Sequence, residues 1–176
     1  LLLPLLDMLD QRWRNYFNAR LEQVFFHSWL RSKLGARVYH DNQLLQGPAV
    51  LLAEDSERTF SPDLWLCAWL LTSNGFQVEV LEQPVAGPQL LSAVNALKPR
   101  ALLLHLGPRI DDKALLRTLQ GLPIPKLLGG ATLALHEARL KAFELPDLFL
   151  FDTPQAALRV LQAHDRQPVE INAPCT

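Results

Sequence analysis

The spacing of apolar residues changes character once along this chain. Over residues 1–46 they recur every three or four positions. Leu2, Leu5, Leu6, Leu9, Trp13 and Phe17 form one stripe, and Leu21, Val24, Phe25, Trp29 and Leu30 form a second. That period predicts two amphipathic helices, a small helical subdomain. Helices this apolar need cover, from the rest of the chain, from further helices or from a second copy. Gly47-Pro48 punctuates the end of this part.

From Ala49 the pattern becomes short apolar runs at 49–53, 76–81, 101–104, 126–128 and 148–151, separated by amphipathic stretches. Runs too short for helices, alternating with helical segments, predict an α/β fold. Its core is a five-stranded parallel, doubly wound, Rossmann-like sheet over residues 49–166, with a loose tail at 167–176. Ser61-Pro62 and Thr153-Pro154 supply N-caps with first-turn prolines, and Gly75 closes the helix begun at Ser61. Gly87-Pro88, Asp111-Asp112 and Ala131-Thr132 mark the other helix starts. The helix at 62–73 is apolar nearly all round, with Trp65 and Trp69 one turn apart, so it needs cover on two sides. Trp13, Trp29, Trp65 and Trp69 are therefore expected to pack between the helical part and the α/β unit.

In an open doubly wound sheet, ligands sit beyond the carboxyl ends of the strands, near the topological switch point. This rule selects Asp55 to Phe60, His105 to Arg109, Gly129 to Thr132 and Asp152-Thr153. A His105/Asp55 acid–base pair is conceivable there, but no Gly-x-Ser-x-Gly elbow supplies a nucleophile, and the expectation is a protein that is not an enzyme. No glycine-rich phosphate loop follows the first strand, where Asp55-Ser56-Glu57 would repel a phosphate. The Glu54-Asp55 pair superficially fits a phospho-receiver domain, but His105 and Asp152-Thr153 stand where the acceptor Asp and the Lys would be needed. Four further histidines are scattered singly, without metal-ligand spacing.

Seventeen basic residues against 18 acidic ones, with no block of either sign, leave no electrostatic footprint for nucleic acid. The two cysteines form neither a disulfide framework nor a zinc pattern, so the expected compartment is the cytoplasm. Asp7 and Asp10 interrupt the apolar opening, which argues against a signal peptide. The absence of an initiating Met suggests that coding sequence lies upstream.

The segments Ala49–Asp55, Asp63–Leu71 and Asn74–Leu81 together resemble the opening βαβ unit of cobalamin-binding domains. The preceding helical pair, with Trp13 and Gly35, resembles the last two helices of the bundle that caps cobalamin in MerR-type photoreceptor regulators. The Leu-Trp-Leu-x-x-Trp signature at Leu64–Trp69 is similar to the sensor portion of MerR-type activators of curli and biofilm formation.

The departures carry as much as the matches. Cobalamin-binding members have Asp-x-His-x-x-Gly after the first strand. Counting back from Gly75 places that motif on Arg58-Thr59-Phe60-Ser61-Pro62-Asp63, with Phe60 where the cobalt-ligating His would stand. A phenyl ring has no lone pair for a metal. The Glu-His of the photoreceptor bundle, ten residues after its Trp, falls on Gln23-Val24. Gly129-Gly130 survives where such domains let the nucleotide tail approach the backbone.

The resemblance thus implies a regulatory domain, sensing an effector or supporting dimerisation, that has lost cobalamin and uses no cofactor. It implies DNA binding only through an upstream winged helix, a homodimer, and a ligand cleft lined by Asp55, Thr59, Phe60, Trp65, His105, Gly129 and Gly130. The alternative is a corrinoid- or other small-molecule-binding carrier module of an enzyme system.

Overall fold

The computed structural model describes residues 2–16, 19–55 and 61–165. Helices α1 (Leu2–Asn15) and α2 (Ala19–Asn42) precede five strands: β1 (Val50–Asp55), β2 (Val78–Val80), β3 (Ala101–Leu106), β4 (Lys126–Gly129) and β5 (Leu148–Phe151). Between and after them run α3 (Pro62–Ser73), α4 (Gly87–Leu97), α5 (Asp112–Gln120), α6 (Leu133–Lys141) and α7 (Pro154–Asp165). Every strand pairing is parallel and the order is β2-β1-β3-β4-β5, the flavodoxin-like doubly wound topology expected from the alternating runs.

Alternation of side chains along the strands divides the core in two. Val50, Leu52, Ala101, Leu103, Leu127 and Phe151 face α3 and α7, and α2 lies over α3 as an outer layer. Leu51, Ala53, Leu102, Leu104 and Leu128 face α4, α5 and α6. Strands buried on both faces read as continuous apolar runs, which is why they were visible in the sequence.

The predicted helix starts are built as expected at Ser61, Asp111 and Thr153, whose Oγ1 accepts from the Ala156 amide at 3.3 Å. Ser61 Oγ accepts from the Leu64 amide ahead of Pro62, and Asp111 accepts from the amides of Lys113 and Ala114 at 3.0 and 3.1 Å. Thr132 differs: its hydroxyl makes no cap bond and donates to the Leu106 carbonyl at the end of β3.

Helix α3 buries Leu64, Leu66, Cys67, Ala68 and Leu71 between the sheet and its neighbours, and it receives its second cover from α2. The Trp65 ring lies in ordinary contact, 3.6 Å, with the position a Cβ would take at Gly35 of α2, so the missing side chain there leaves room for the indole. Asn42 ties the same helix to the sheet. Its amide donates to the Val78 carbonyl at 2.7 Å and accepts from the Val78 amide at 3.0 Å, satisfying the outward backbone groups of edge strand β2. An Arg31–Glu82 ion pair adds a third tie.

Two expectations for the helical part change. The buried stripe of α2 is Ala19, Leu30, Leu34 and Val38, whereas Leu21, Val24, Phe25 and Trp29 face outward. Trp29 is 55% exposed and touches Phe26 of its own helix, so within one chain it does not pack on the α/β unit. Trp13 is buried against Phe26 and His27, with ring centroids 5.6 and 5.4 Å away, while Trp69 is half-buried beside the α3 core. No helix among the described residues is long and apolar enough to cross a membrane.

Candidate ligand edge of the sheet

The chain leaves β1 toward β2 on one side and returns through β3 on the other, so the switch point lies between the ends of β1 and β3. There the ladder continues to the last residues, Asp55 opposite Leu106, and the Gly107 amide donates to the Asp55 carbonyl at 3.1 Å. Glu54, His105, Gly129 and Phe151 are aligned across four strands and share the face toward α3 and α7.

His105 is the chemically distinctive member of that row. It is 4% exposed, its ring stands edge-on to Phe151 at 5.3 Å, and its Nε2 has no hydrogen-bond partner among the described residues. Burial pushes its pKa down to about 4, because the imidazolium would lose its hydration there. The neutral ring thus presents one nitrogen unpaired among the described residues. Such a group costs stability unless something engages it.

The glycine pair serves this histidine. Gly130 has φ +98°, and a Cβ on it would lie 2.8 Å from His105 Nδ1; a Cβ on Gly129 would collide with the Phe151 carbonyl oxygen. Both glycines are therefore required by the packing of β4, β5 and the His105 ring, whatever else passes near them.

The opposite face of the edge is a different environment. Asp55 points there, since it is paired with Leu106 and one residue out of step with His105. Its carboxyl is held above the usual range by burial first and by the Asp111 charge second, with His136 pulling the other way. The imagined His105/Asp55 acid–base pair is accordingly not assembled, because the two side chains lie on opposite sides of the sheet.

His136 is buried below this face, with Nε2 2.8 Å from the Gly107 carbonyl and Nδ1 2.6 Å from Arg139 Nη2. A guanidinium can only donate, so Nδ1 must accept and Nε2 must carry the hydrogen given to Gly107. Arg139 also clamps the Asp112 carboxylate at 2.9 and 3.2 Å. With Thr132 on Leu106, these groups from α6 fix the loop that leaves β3. In the sequence, His136 stands four residues after Thr132 and three before Arg139, the spacing that puts the three on one side of α6.

Of the predicted cleft residues, the structure brings His105, Gly129 and Gly130 together, places Asp55 on the far face and commits Trp65 to the contact with α2. Thr59 and Phe60 lie outside the described residues, as does the 167–176 tail. An open depression of about 470 Å³ lies beside β4, β5 and α6, bordered by Gly130, Ala134, Glu137 and Asp152. No group of three metal-binding side chains occurs among the described residues. Ser61 is used as a helix cap and Thr132 as a loop tie, so neither is placed as a nucleophile. Comparison of the chain with protein-family models finds no match, and comparison with curated proteins finds none of significant similarity.

Proposed function

We propose that this chain is the regulatory domain of a MerR-type transcription regulator whose cobalamin-ligating positions have been lost, and that it acts by effector sensing and not by catalysis. The observation that supports the reading is the course of α3. It starts at Ser61 beside the sheet edge, and one turn later Trp65 packs on Gly35 of α2. An occupant of the edge that prefers one setting of α3 therefore has a mechanical route to the helical layer, and its effect is bounded by its differential affinity for the two settings. The effector is a small molecule that engages the unused His105 nitrogen; DNA is contacted by a winged helix encoded ahead of Leu1.

Two measurements test this. The coding sequence upstream of Leu1 is expected to encode a winged helix, and a different upstream domain or none overturns the regulator reading. Mixing the protein with hydroxocobalamin followed by gel filtration is expected to leave it colourless. A retained corrinoid with a shifted absorption spectrum would favour a carrier module of an enzyme system instead.

A further inference from the structure

The two edges of the sheet end differently. At β2, Asn42 answers both outward backbone groups of Val78. At β5, no side chain among the described residues does the same. Lys126 donates to the Asp147 carbonyl at 2.8 Å and Gly130 to the Phe151 carbonyl at 2.9 Å, so Asp147, Phe149 and Phe151 turn their backbone toward β4. The two-residue period then turns the N–H and C=O of Leu148 and Leu150 away from the sheet, and neither has a partner for them among the described residues. Such an edge is a template for one further strand.

Two different surfaces flank this edge. On the α6 side, the depression of about 470 Å³ has Leu133, Ala134 and Leu150 as its apolar part and Glu137 and Asp152 as its charged part. On the α7 side, Phe149 is half-buried beside His164, with ring centroids 6.2 Å apart. Side chains of an added strand alternate between the two sides. Those on the α6 side meet carboxylates over an apolar floor, which suits the long stem and charged head of Arg or Lys. Those on the α7 side meet the Phe149 ring, which suits a β-branched residue. Glu144 and Asp147, just ahead of β5, are exposed and extend the negative charge along the edge. Lys141 pairs with Glu137 at 2.7 Å, but both side chains are largely exposed, so that pair is worth little and a peptide cation can replace it.

We infer that the open edge of β5 takes an extended basic segment of another protein as a sixth strand, with Arg or Lys side chains seated in the depression between β5 and α6. Charge selects this occupant. A second copy pairing edge to edge would set Glu144, Asp147 and Asp152 against the same carboxylates. A parallel strand formed by the chain itself beyond α7 would need a left-handed crossover, because α7 lies on the α3 side of the sheet. A helix presents no row of outward backbone groups to match those of Leu148 and Leu150. The inference goes beyond the regulatory reading and does not rest on it, since it concerns the backbone of β5 and not the His105 ring.

The probe is the peptide acetyl-Arg-Val-Arg-Val-Arg-Val-amide, with its Glu-for-Arg counterpart as control. Amide hydrogen exchange of the 176-residue chain, followed by NMR, is expected to slow at Leu148 and Leu150 by at least about tenfold at saturating basic peptide, and not with the acidic one. Asp152→Lys, at an exposed side chain, should weaken binding by roughly fivefold, the equivalent of one exposed ion pair. Leu150→Pro should abolish binding, because it removes a donor that the β4 ladder does not use. Its melting midpoint shows whether the fold survives; where it does not, Asp152→Lys decides. No slowing at about 1 mM peptide, an equal response to the acidic peptide, or slowing at Val78 and Val80 instead overturns the proposal. Leu148 and Leu150 amides that become protected in the protein alone as its concentration rises would give the edge to a second copy, and overturn it as well.

Discussion

Replacing His105 by leucine separates the energetic cost of the buried ring from any use it has. The ring is 4% exposed and Nε2 has no partner among the described residues, so at neutral pH Leu of similar volume removes a stranded polar atom and should raise stability by about 1 kcal/mol. The pH dependence is the sharper readout. A free imidazole titrates near 6.5, and burial holds His105 neutral down to about 4, so between those values the unfolded chain binds a proton that the folded chain refuses. Stability from this group is complete above pH 6.5, falls as the pH drops, and is gone by about pH 4. At about 1.4 kcal/mol per pH unit the full loss is about 3 kcal/mol.

Urea titrations of parent and His105→Leu at pH 7.5 and 4.5 should therefore show their difference widening by about 2–3 kcal/mol in favour of the variant, with equal m-values. Subtracting the two proteins cancels the carboxylates, including Asp55, whose raised pKa works in the opposite direction. Parallel loss of stability in both proteins, or an NMR titration of the His105 ring near 6.5, would refute the argument. A variant that is more stable yet no longer shifted by an effector would show that the nitrogen is kept at a thermodynamic cost for binding.

Asn42→Ala should lower stability by about 1–3 kcal/mol, measured by urea midpoint, because it frees both outward backbone groups of Val78. Gly130→Ala should cost about 2–4 kcal/mol, from a backbone at φ +98° and a methyl 2.8 Å from the His105 ring, and part of that loss should vanish in a His105→Ala background. Cys67 is fully buried and its thiol is pushed up to about 12, so iodoacetamide followed by peptide mapping should label it only after unfolding. Labelling of the native protein at a rate insensitive to urea would contradict that burial.

The sheet was legible because parallel strands covered on both sides are written as unbroken apolar runs. The reading stopped short at the ends of β1 and β3, where the ladder continues through Glu54, Asp55 and His105. Polar residues end an apolar run without ending a strand, and at a ligand edge this is where polarity is expected. In α2 the helical period was right and the buried face was not. Two apolar stripes on opposite sides have the same period, so spacing alone cannot say which one α3 covers; Gly35, small enough for the Trp65 ring, marks the correct one. Asn42 left no signal at all, because its role depends on an edge strand thirty-six residues away. Thr132 read as a helix cap since nothing in sequence distinguishes a hydroxyl that bonds its own helix from one that bonds Leu106.

The ties between the helical layer and the sheet constrain how any signal could pass. Asn42 anchors the end of α2 to β2, and Arg31 reaches Glu82 beyond the same strand, so the C-terminal part of α2 is held at the sheet edge. Its N-terminal part, from Ala19 to Leu30, packs on the α/β unit through Phe26 and Leu30. Rotation of α2 about the Asn42 anchor keeps both bonds to Val78, and the buried Val38 lies nearest its pivot, with Trp65 against Gly35 about one turn farther. Such a rotation moves the N-terminal end of α2, from Ala19 to Phe25, farthest, because it lies most distant from the anchor. A shift of α3 at the sheet edge would then be read out mainly at the N-terminal half of α2, where Leu21, Val24, Phe25 and Trp29 are exposed.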